Sequence, residues 1–255
     1  MIRLPWLDPA DPDAFPAVEH AMGEPDGLLA AGGDLSPARL LAAYRRGIFP
    51  WYSEGEPILW WSPARRTVFD TATPHVPRRL VRWLRGCEWT IATDHAFSAV
   101  MRACAHTRRD ANGTWIGASM IAAYERLHRL GHAHSVEVRD GDALVGGIYG
   151  VRIGRMFHGE SMFSAATNGS KVALLALCRL LDECGCPLLD AQVASPHLFT
   201  LGAREMPRAA FCAEVARLAD LPFARSEWPS TCVRIEAAGL AMPRGGQPAW
   251  KPGNP

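Results

Sequence analysis

Ser135-Val-Glu-Val-Arg139, Asp140-Gly-Asp142, Ala143-Leu-Val-Gly-Gly-Ile-Tyr-Gly-Val-Arg-Ile153, Gly154-Arg155 and Met156-Phe-His-Gly-Glu-Ser-Met-Phe163 follow one another without a break. The first segment alternates apolar and polar residues, the period of a half-buried strand. Asp-Gly is the dipeptide that a two-residue hairpin turn prefers, and Gly-Arg turns the chain a second time. The pattern therefore predicts a three-stranded antiparallel meander. Asn168 is then expected to cap a nearly all-apolar helix from Gly169 to about Leu181, and Leu188-Leu-Asp-Ala-Gln192 reads as a further strand, too apolar for an edge.

Helices lead into this core from the N-terminal side. Ser36 can cap a helix with Pro37 at its first position, Leu40, Leu41 and Tyr44 on its apolar side and Gly47 at its end. Residues 78–86, 94–105 and 116–130 read as helices, the last with Ile121, Tyr124, Leu127 and Leu130 on one side. Shorter helical turns are expected near 196–201 and 208–217. Residues 1–25, rich in proline and acids, read as loop. The whole is an α+β plan: a small N-terminal domain over 1–64, and a larger domain over 65–240 with a mixed, mostly antiparallel sheet. Residues 241–255, rich in Pro and Gly, read as a disordered tail. The element order matches the acetyltransferase-like fold, in which the third and fourth of these strands splay apart; that match is one of pattern alone.

Composition narrows the function classes. At 255 residues, 48% hydrophobic and 21% charged, the chain is of ordinary globular make-up, with no apolar run of about 18 residues to span a membrane. Its first residues lack the apolar core of a secretory signal. Seven cysteines at irregular spacing, Cys184 and Cys186 among them, suit reduced thiols in a cytoplasmic chain. Net charge is only +1, but between 65 and 109 nine arginines (65, 66, 78, 79, 82, 85, 102, 108, 109) face three acids (Asp70, Glu88, Asp94). Such an excess of guanidinium groups suits phosphate contacts, or else forms a solvated face without a partner. Trp51, Trp60 and Trp61 lie within eleven residues of each other. They can pack one domain on another or stack on exposed bases.

Runs spread over the chain resemble the bacterial leucyl/phenylalanyl-tRNA–protein transferases. These are Gly27-Leu-Leu-Ala-Ala-Gly-Gly-Asp-Leu-Ser-Pro-Ala-Arg-Leu-Leu41, Tyr44-Arg-Arg-Gly-Ile-Phe-Pro-Trp51, Ile58-Leu-Trp-Trp-Ser-Pro63, Gly113-Thr-Trp-Ile116, Gly131-His-Ala-His-Ser-Val-Glu137, His158-Gly-Glu-Ser-Met-Phe163, Leu189-Asp-Ala-Gln192 and Leu201-Gly-Ala203 with Pro207-Arg208. The resemblance implies Leu-tRNA and Phe-tRNA as donors (Met also being used), proteins with an N-terminal Arg or Lys as acceptors, and entry of the product into N-degron degradation. Since the ester of an aminoacyl-tRNA is already activated, no cofactor and no metal are expected. The resemblance places Asp190 and Gln192 at the catalytic centre, and as strand neighbours at i and i+2 they should point the same way. Asp190 would then polarise the Gln192 amide, or anchor the acceptor's ammonium; the bland reading is a buried hydrogen-bond network. Glu160 shares a strand face with Met162 on the same argument, and would bind the donor's amine or the acceptor's cationic side chain, or close an ion pair at a strand edge. By position in the family, Ile148, Phe157, Met162, Leu174, Leu177 and Leu189 would line the donor side-chain pocket, and Tyr44, Trp51 and Trp115 would bind substrate. Arg65, Arg66, Arg78, Arg79, Arg82 and Arg85 would hold tRNA phosphates.

Competing readings fare worse. His132, His134, Cys184 and Cys186 meet none of the usual zinc spacings. No Gly-x-Ser-x-Gly elbow marks a hydrolase. The loop Ser164–Lys171 has one glycine and lacks the spacing of an acetyltransferase pyrophosphate loop. A non-catalytic RNA-binding module accounts for the arginines and tryptophans but leaves Glu160, Asp190 and Gln192 unused. Gly146 and Gly147 mark either a bulge or a close approach by a ligand.

Overall fold

The N-terminal segment folds around Trp60, which is fully buried and donates its indole N–H to the Gly32 carbonyl (2.9 Å). In the computed structural model, which describes residues 4–112, 115–223, 228 and 235–241, four short strands surround it. These are β1 (Trp6–Leu7), β2 (Leu28–Gly32), β3 (Phe49–Pro50) and β4 (Leu59–Trp61), in the order β1-β2-β4-β3. Between β2 and β3 runs α1 (Pro37–Tyr44), with Ser36 as its cap and Pro37 in its first turn. Gly47, at φ +72°, ends that turn in the left-handed region where glycine is free of strain. Residues 4–25 are mostly loop, as expected, with only β1 and a short helical turn at Val18–His20; buried Arg39 ties the carbonyls of Asp8 and Asp11 to α1.

The second sheet has eight strands, β5 (Arg65–Asp70), β6 (Thr90–Thr93), β7 (Ala133–Asp140), β8 (Ala143–Ile153), β9 (Met156–Ser164), β10 (Leu188–Gln192), β11 (Arg204–Pro207) and β12 (Ile235–Glu236). Their order is β11-β5-β10-β9-β8-β7-β6-β12. The predicted meander is β7-β8-β9, with the Asp140–Ala143 hairpin in place, and β10 is an interior strand between β9 and β5. Strands β5, β6, β11 and β12 are absent from the sequence reading; β5 and β11 carry charged residues, and β11 a proline, that mask their alternation. The fold is α+β, with antiparallel pairs throughout this sheet except β9–β10.

Helices cover both faces. On one, α2 (Arg78–Leu84) and α5 (Gly169–Glu183) pack with Ile148, Phe157 and Leu189. On the other, α3 (Phe97–Asn112) and α4 (Ala118–Arg129) pack with Tyr149, Val151 and Phe163, and this core runs on without interruption into Leu29, Tyr44 and Trp60 of the first sheet. The helix α4 buries Met120, Ala123, Tyr124 and Leu127, so its inner stripe is rotated from the expected one and Leu130 is exposed. The short α6 (Pro196–Phe199) is capped by Ser195, and α7 (Arg208–Ala219) lies over Val68, Met156 and Leu188. Of the expected tail, residues 242–255 lie outside the described residues.

Asn168 precedes α5 as expected but does not cap it with its side chain; it holds φ +78°. The close approach at Gly146 is to this helix, not to a ligand. An added Cβ there would sit 2.4–2.6 Å from the Gly169 backbone, and the β7–β8 register slips at the neighbouring Val145. Gly146→Ala should therefore lower the urea midpoint at unchanged m-value, costing about 2–3 kcal/mol by overpacking.

Candidate active site

The β9–β10 pairing is parallel and runs only from Leu188↔Met156 to Asp190↔His158. Beyond that rung the two strands part. At the same level each strand carries one extra residue: Glu160 is inserted in β9 between Gly159 and Ser161, and Ala191 in β10 between Asp190 and Gln192. Bulges break the two-residue alternation and re-aim side chains. One expectation is corrected by this. Glu160 and Met162 do not share a face, because Met162 joins the α5-side core while the Glu160 carboxylate turns to Tyr44 and Tyr124 in the other core.

Glu160 is almost fully buried. Its Oε1 accepts from the Tyr44 hydroxyl and from the Gln192 side-chain amide (both 2.7 Å), and its Oε2 accepts from the Tyr124 hydroxyl (3.1 Å). The two tyrosine hydroxyls also touch each other. Burial and the nearby Glu160 charge hold both phenols well above their usual range, so they remain donors. Burial likewise pushes the Glu160 carboxyl up to about 7, with the Asp190 charge adding to it and the tyrosine and glutamine hydrogen bonds pulling against it. With its NH₂ committed to a carboxylate, Gln192 keeps its amide oxygen for another donor.

Asp190 is held differently. Its carboxylate meets the Gln192 backbone N–H and not the side-chain amide, which is held by Glu160 instead. Oδ1 accepts from Arg66 Nε and from the Gln192 backbone N–H, and Oδ2 accepts from Arg66 Nη2 and from His158 Nδ1, all at 2.7–2.8 Å. Burial alone would raise this carboxyl, but the Arg66 charge and hydrogen bonds, with those of His158, outweigh it and hold the group well below the usual carboxylate range. The Arg66 guanidinium lies 4.6 Å from the ring centres of both Phe49 and Phe211 and donates Nη1 to the Gly47 carbonyl (2.9 Å). Arg66 is thus 1% exposed, and the expectation that it binds tRNA phosphate is overturned. Tyr44, expected to bind substrate, is likewise buried, with its hydroxyl committed to Glu160.

Two openings meet at Glu160, Met162, Ala191 and Leu198. The inner one, about 90 Å³, is walled by Phe69, Ile148, Leu174 and Leu189, and is of a size for a single apolar side chain. Of the expected lining, Phe157 and Leu177 lie behind these walls in the core; Phe157 packs on Trp228. Phe69, Ala191 and Leu198 went unforeseen because nothing in their local sequence sets them apart from core. The outer opening, about 230 Å³, is bordered by Phe49, Pro50, Trp51, Trp115, Gln192, Val193 and Ser195. A separate cleft of about 660 Å³ lies on the other side of Trp115, with Glu54, Glu56 and Arg126 on its walls. Arg78, Arg79 and Arg82 are exposed on α2 and Arg85 just past its end, Arg65 is exposed and paired with Glu205, and the side chains of Arg108 and Arg109 lie outside the described residues. His134 is engaged by Asp94 (2.7 Å) and stacks on Trp228, and no group of three or more metal-ligating side chains occurs among the described residues. Nor is any helix among them long and apolar enough to cross a membrane.

Comparison with known proteins sharpens this picture. The model of the leucyl/phenylalanyl-tRNA protein transferase family matches residues 68–216, and that of the N-terminal domain of the same transferases matches 33–64. Leucyl/phenylalanyl-tRNA–protein transferases from Xanthomonas campestris pv. campestris and Chromohalobacter salexigens are 55% and 56% identical to the chain. The first covers 93% of this chain and 96% of the relative, the second 89% and 88%. One from Xanthomonas euvesicatoria is 56% identical over 90% of the chain and 92% of the relative. Fold, site and comparisons define an enzyme of the aminoacyltransferase class. The chain belongs to the leucyl/phenylalanyl-tRNA–protein transferase family.

Glu160 makes the site's titration measurable. Between its open-chain value of 4.5 and about 7, the native state holds a proton that the unfolded chain lacks. The stability due to this proton is complete below pH 4.5 and lost as pH rises through 7, about 3 kcal/mol in all. His158 and His134, pushed down by burial, act in the opposite sense below 6.5. The unfolding free energy of the wild type minus that of Glu160→Gln should therefore fall by about 2–3 kcal/mol between pH 4.5 and 8. A difference independent of pH would show that Glu160 titrates outside this window.

Proposed function

We propose that this protein transfers leucine or phenylalanine from tRNA to the N-terminal Arg or Lys of acceptor proteins, marking them for N-degron degradation. The observation that carries the reading is an apolar cavity of single-side-chain size opening directly beside the Glu160–Gln192 pair. The donor side chain enters this cavity, the terminal adenosine stacks at Trp51 and Trp115, and the exposed arginines of α2 with Arg65 hold the acceptor stem by its phosphates. Residues 1–64 act as the small domain and 65–240 as the acetyltransferase-like catalytic domain, with the β9–β10 splay as the feature common to that fold. Charged tRNA is a cytoplasmic species, so the reading carries a cytoplasmic location with it.

In the reaction the acceptor's α-amine attacks the ester carbonyl, a C–N bond forms, and the C–O bond to the terminal ribose breaks. The proton lost by the amine ends on the ribose oxygen. A free α-amino group has a pKa of about 7.7–8, so only about 1–1.5 kcal/mol is needed to reach the neutral amine at pH 7. Gln192 accepts from the attacking amine through its free amide oxygen. Glu160 fixes that orientation and, with three donors on its four lone-pair positions, still has one to offer an ammonium.

The direct test is transfer of labelled leucine to a peptide beginning with Arg. Leu-tRNA and Phe-tRNA should support it and Ile-tRNA should not, the branched Cβ costing 10-fold or more in kcat/KM in a tight apolar pocket, about 1–3 kcal/mol. Gln192→Ala should reduce kcat about 100-fold, while Leu174→Phe should impair Phe transfer more than Leu transfer. An RNA-binding module without catalysis would bind charged and uncharged tRNA alike and transfer nothing. Reversing charge at Arg79 and Arg82 should raise the KM for tRNA at unchanged kcat and flatten the salt dependence of binding, by about one unit of slope per contact.

A further inference from the structure

We infer that Arg66 and His158 are positioning residues of the transfer reaction: through Asp190 they set the backbone of Gln192 and the width of the gap between β9 and β10. The inference rests on the transfer activity proposed above, and deepens it.

The starting observation is a count of hydrogen bonds. A carboxylate offers about four lone-pair positions. Those of Asp190 are taken by Arg66 Nε (2.8 Å), Arg66 Nη2 (2.7 Å), His158 Nδ1 (2.8 Å) and the Gln192 backbone N–H (2.8 Å). The side chain is fully buried. Although Asp190 borders the inner opening, it has no free lone pair for an ammonium, so it acts on the reaction through what it holds. What it holds is Gln192, whose φ of +61° is a left-handed conformation that a residue with a Cβ adopts at a cost. The bond from Asp190 Oδ1 to the Gln192 N–H braces that turn, and the turn delivers the side chain to Glu160.

Arg66 and His158 fix Asp190 from two sides. His158 is its register partner on β9, at the last rung before the strands part, and its ring rests against Tyr44 (4.9 Å between centres). Its bond to Oδ2 therefore clamps the two strands at the root of the gap. Arg66 comes from β5, on the opposite flank of β10, and is itself wedged between Phe49 of the first sheet and Phe211 of α7. Each supplies geometry that the other cannot: the fork of Arg66 sets the plane of the carboxylate, and the single His158 donor sets its height above β9. Burial lowers the His158 pKa, which keeps the ring neutral with its proton on Nδ1 facing Asp190. Neither side chain borders the openings where substrates would bind.

Steady-state transfer of leucine from Leu-tRNA to an Arg-initiated peptide, measured from pH 5.5 to 8.5 with thermal melts and tRNA binding alongside, tests this. His158→Leu should lose about 20-fold or more in kcat, with KM for the peptide and Kd for tRNA within about threefold of wild type. His158→Asn, whose amide N–H can stand in for Nδ1–H, should recover to within about threefold, and the pH midpoint should not move in either. Exchange of the Gln192 amide hydrogen should quicken at least about tenfold in His158→Leu and return in His158→Asn. Arg66→Lys, which keeps the charge but loses the fork, should repeat the kcat loss and stands in if His158→Leu does not fold. A folded His158→Leu with wild-type kcat, a loss confined to KM, or a loss that His158→Asn does not recover while its melting temperature matches wild type would overturn the inference. Absence of transfer by the wild type would instead sink the transfer reading itself.

Discussion

A guanidinium buried between two phenyl rings keeps its charge only if a carboxylate is buried with it, and the ion pair of Arg66 with Asp190 meets that condition where β3, β5, β9, β10 and α7 come together. Taking two such ions out of water is costly, and the attraction repays it only when the geometry is good and every remaining donor and lone pair is satisfied. The carboxylate meets these terms in full through the fork, the His158 ring and the Gln192 amide, and the guanidinium adds the Gly47 carbonyl and two aromatic faces to its fork. Each partner comes from a different place: Gly47 from the end of α1, Phe211 from α7, His158 from β9. Removing Arg66 or Asp190 alone leaves an uncompensated charge in the core, a loss of about 3–5 kcal/mol. The docking of the first sheet on the second is therefore tied to the same atoms that shape the centre of the site.

The two acidic side chains of the site diverge for one reason, the number and charge of their donors. Asp190 has a cation and four donors and stays ionised; Glu160 has neutral donors only, and burial carries its carboxyl to about 7. Environments that drive neighbouring titratable groups apart are what separates a fixed charge from a group that can exchange a proton at neutral pH. Asp190, the residue that is easier to pick from sequence as a catalyst, thus has every lone pair taken, and Glu160, which reads as an expensive buried carboxylate, lies buried where the two openings meet.

That reversal also shows what the sequence could and could not disclose. The meander, the α5 helix and the interior position of β10 follow from alternation, turn dipeptides and apolar runs, all of them local. Glu160, Gln192 and Asp190 are visible because polar residues on apolar strands stand out. The bulges at Glu160 and Ala191 are not, since each depends on pairing with a strand elsewhere, and they undo the alternation used to put Glu160 and Met162 on one face. Arg66 is indistinguishable from Arg65 in sequence; only the pairing of β5 with β10 buries one and exposes the other. Tyr124 reads as one more apolar position of a helix, and its hydroxyl acquires meaning only when α4 meets β9.

A site that joins an amine to an activated ester needs little chemistry of its own, and the weight falls on placement. Misplacement of a reacting group by about 1 Å can cost 100-fold, so parts that only hold others still carry much of the rate. The gap between β9 and β10 is bounded below by the clamp at His158 and Asp190 and flanked by side chains locked in packed cores, which makes its width a property of the fold and not of a mobile loop. The same rigidity suits the choice of donor. Met162 on the bulged strand is the adaptable wall, while Ile148, Leu174 and Leu189 are the fixed ones, so the cavity can yield in one direction to a longer or flatter side chain without yielding in all. Tolerance of both an isobutyl and a benzyl group, with exclusion of branching next to the reacting carbonyl, is the selectivity that such a cavity would have.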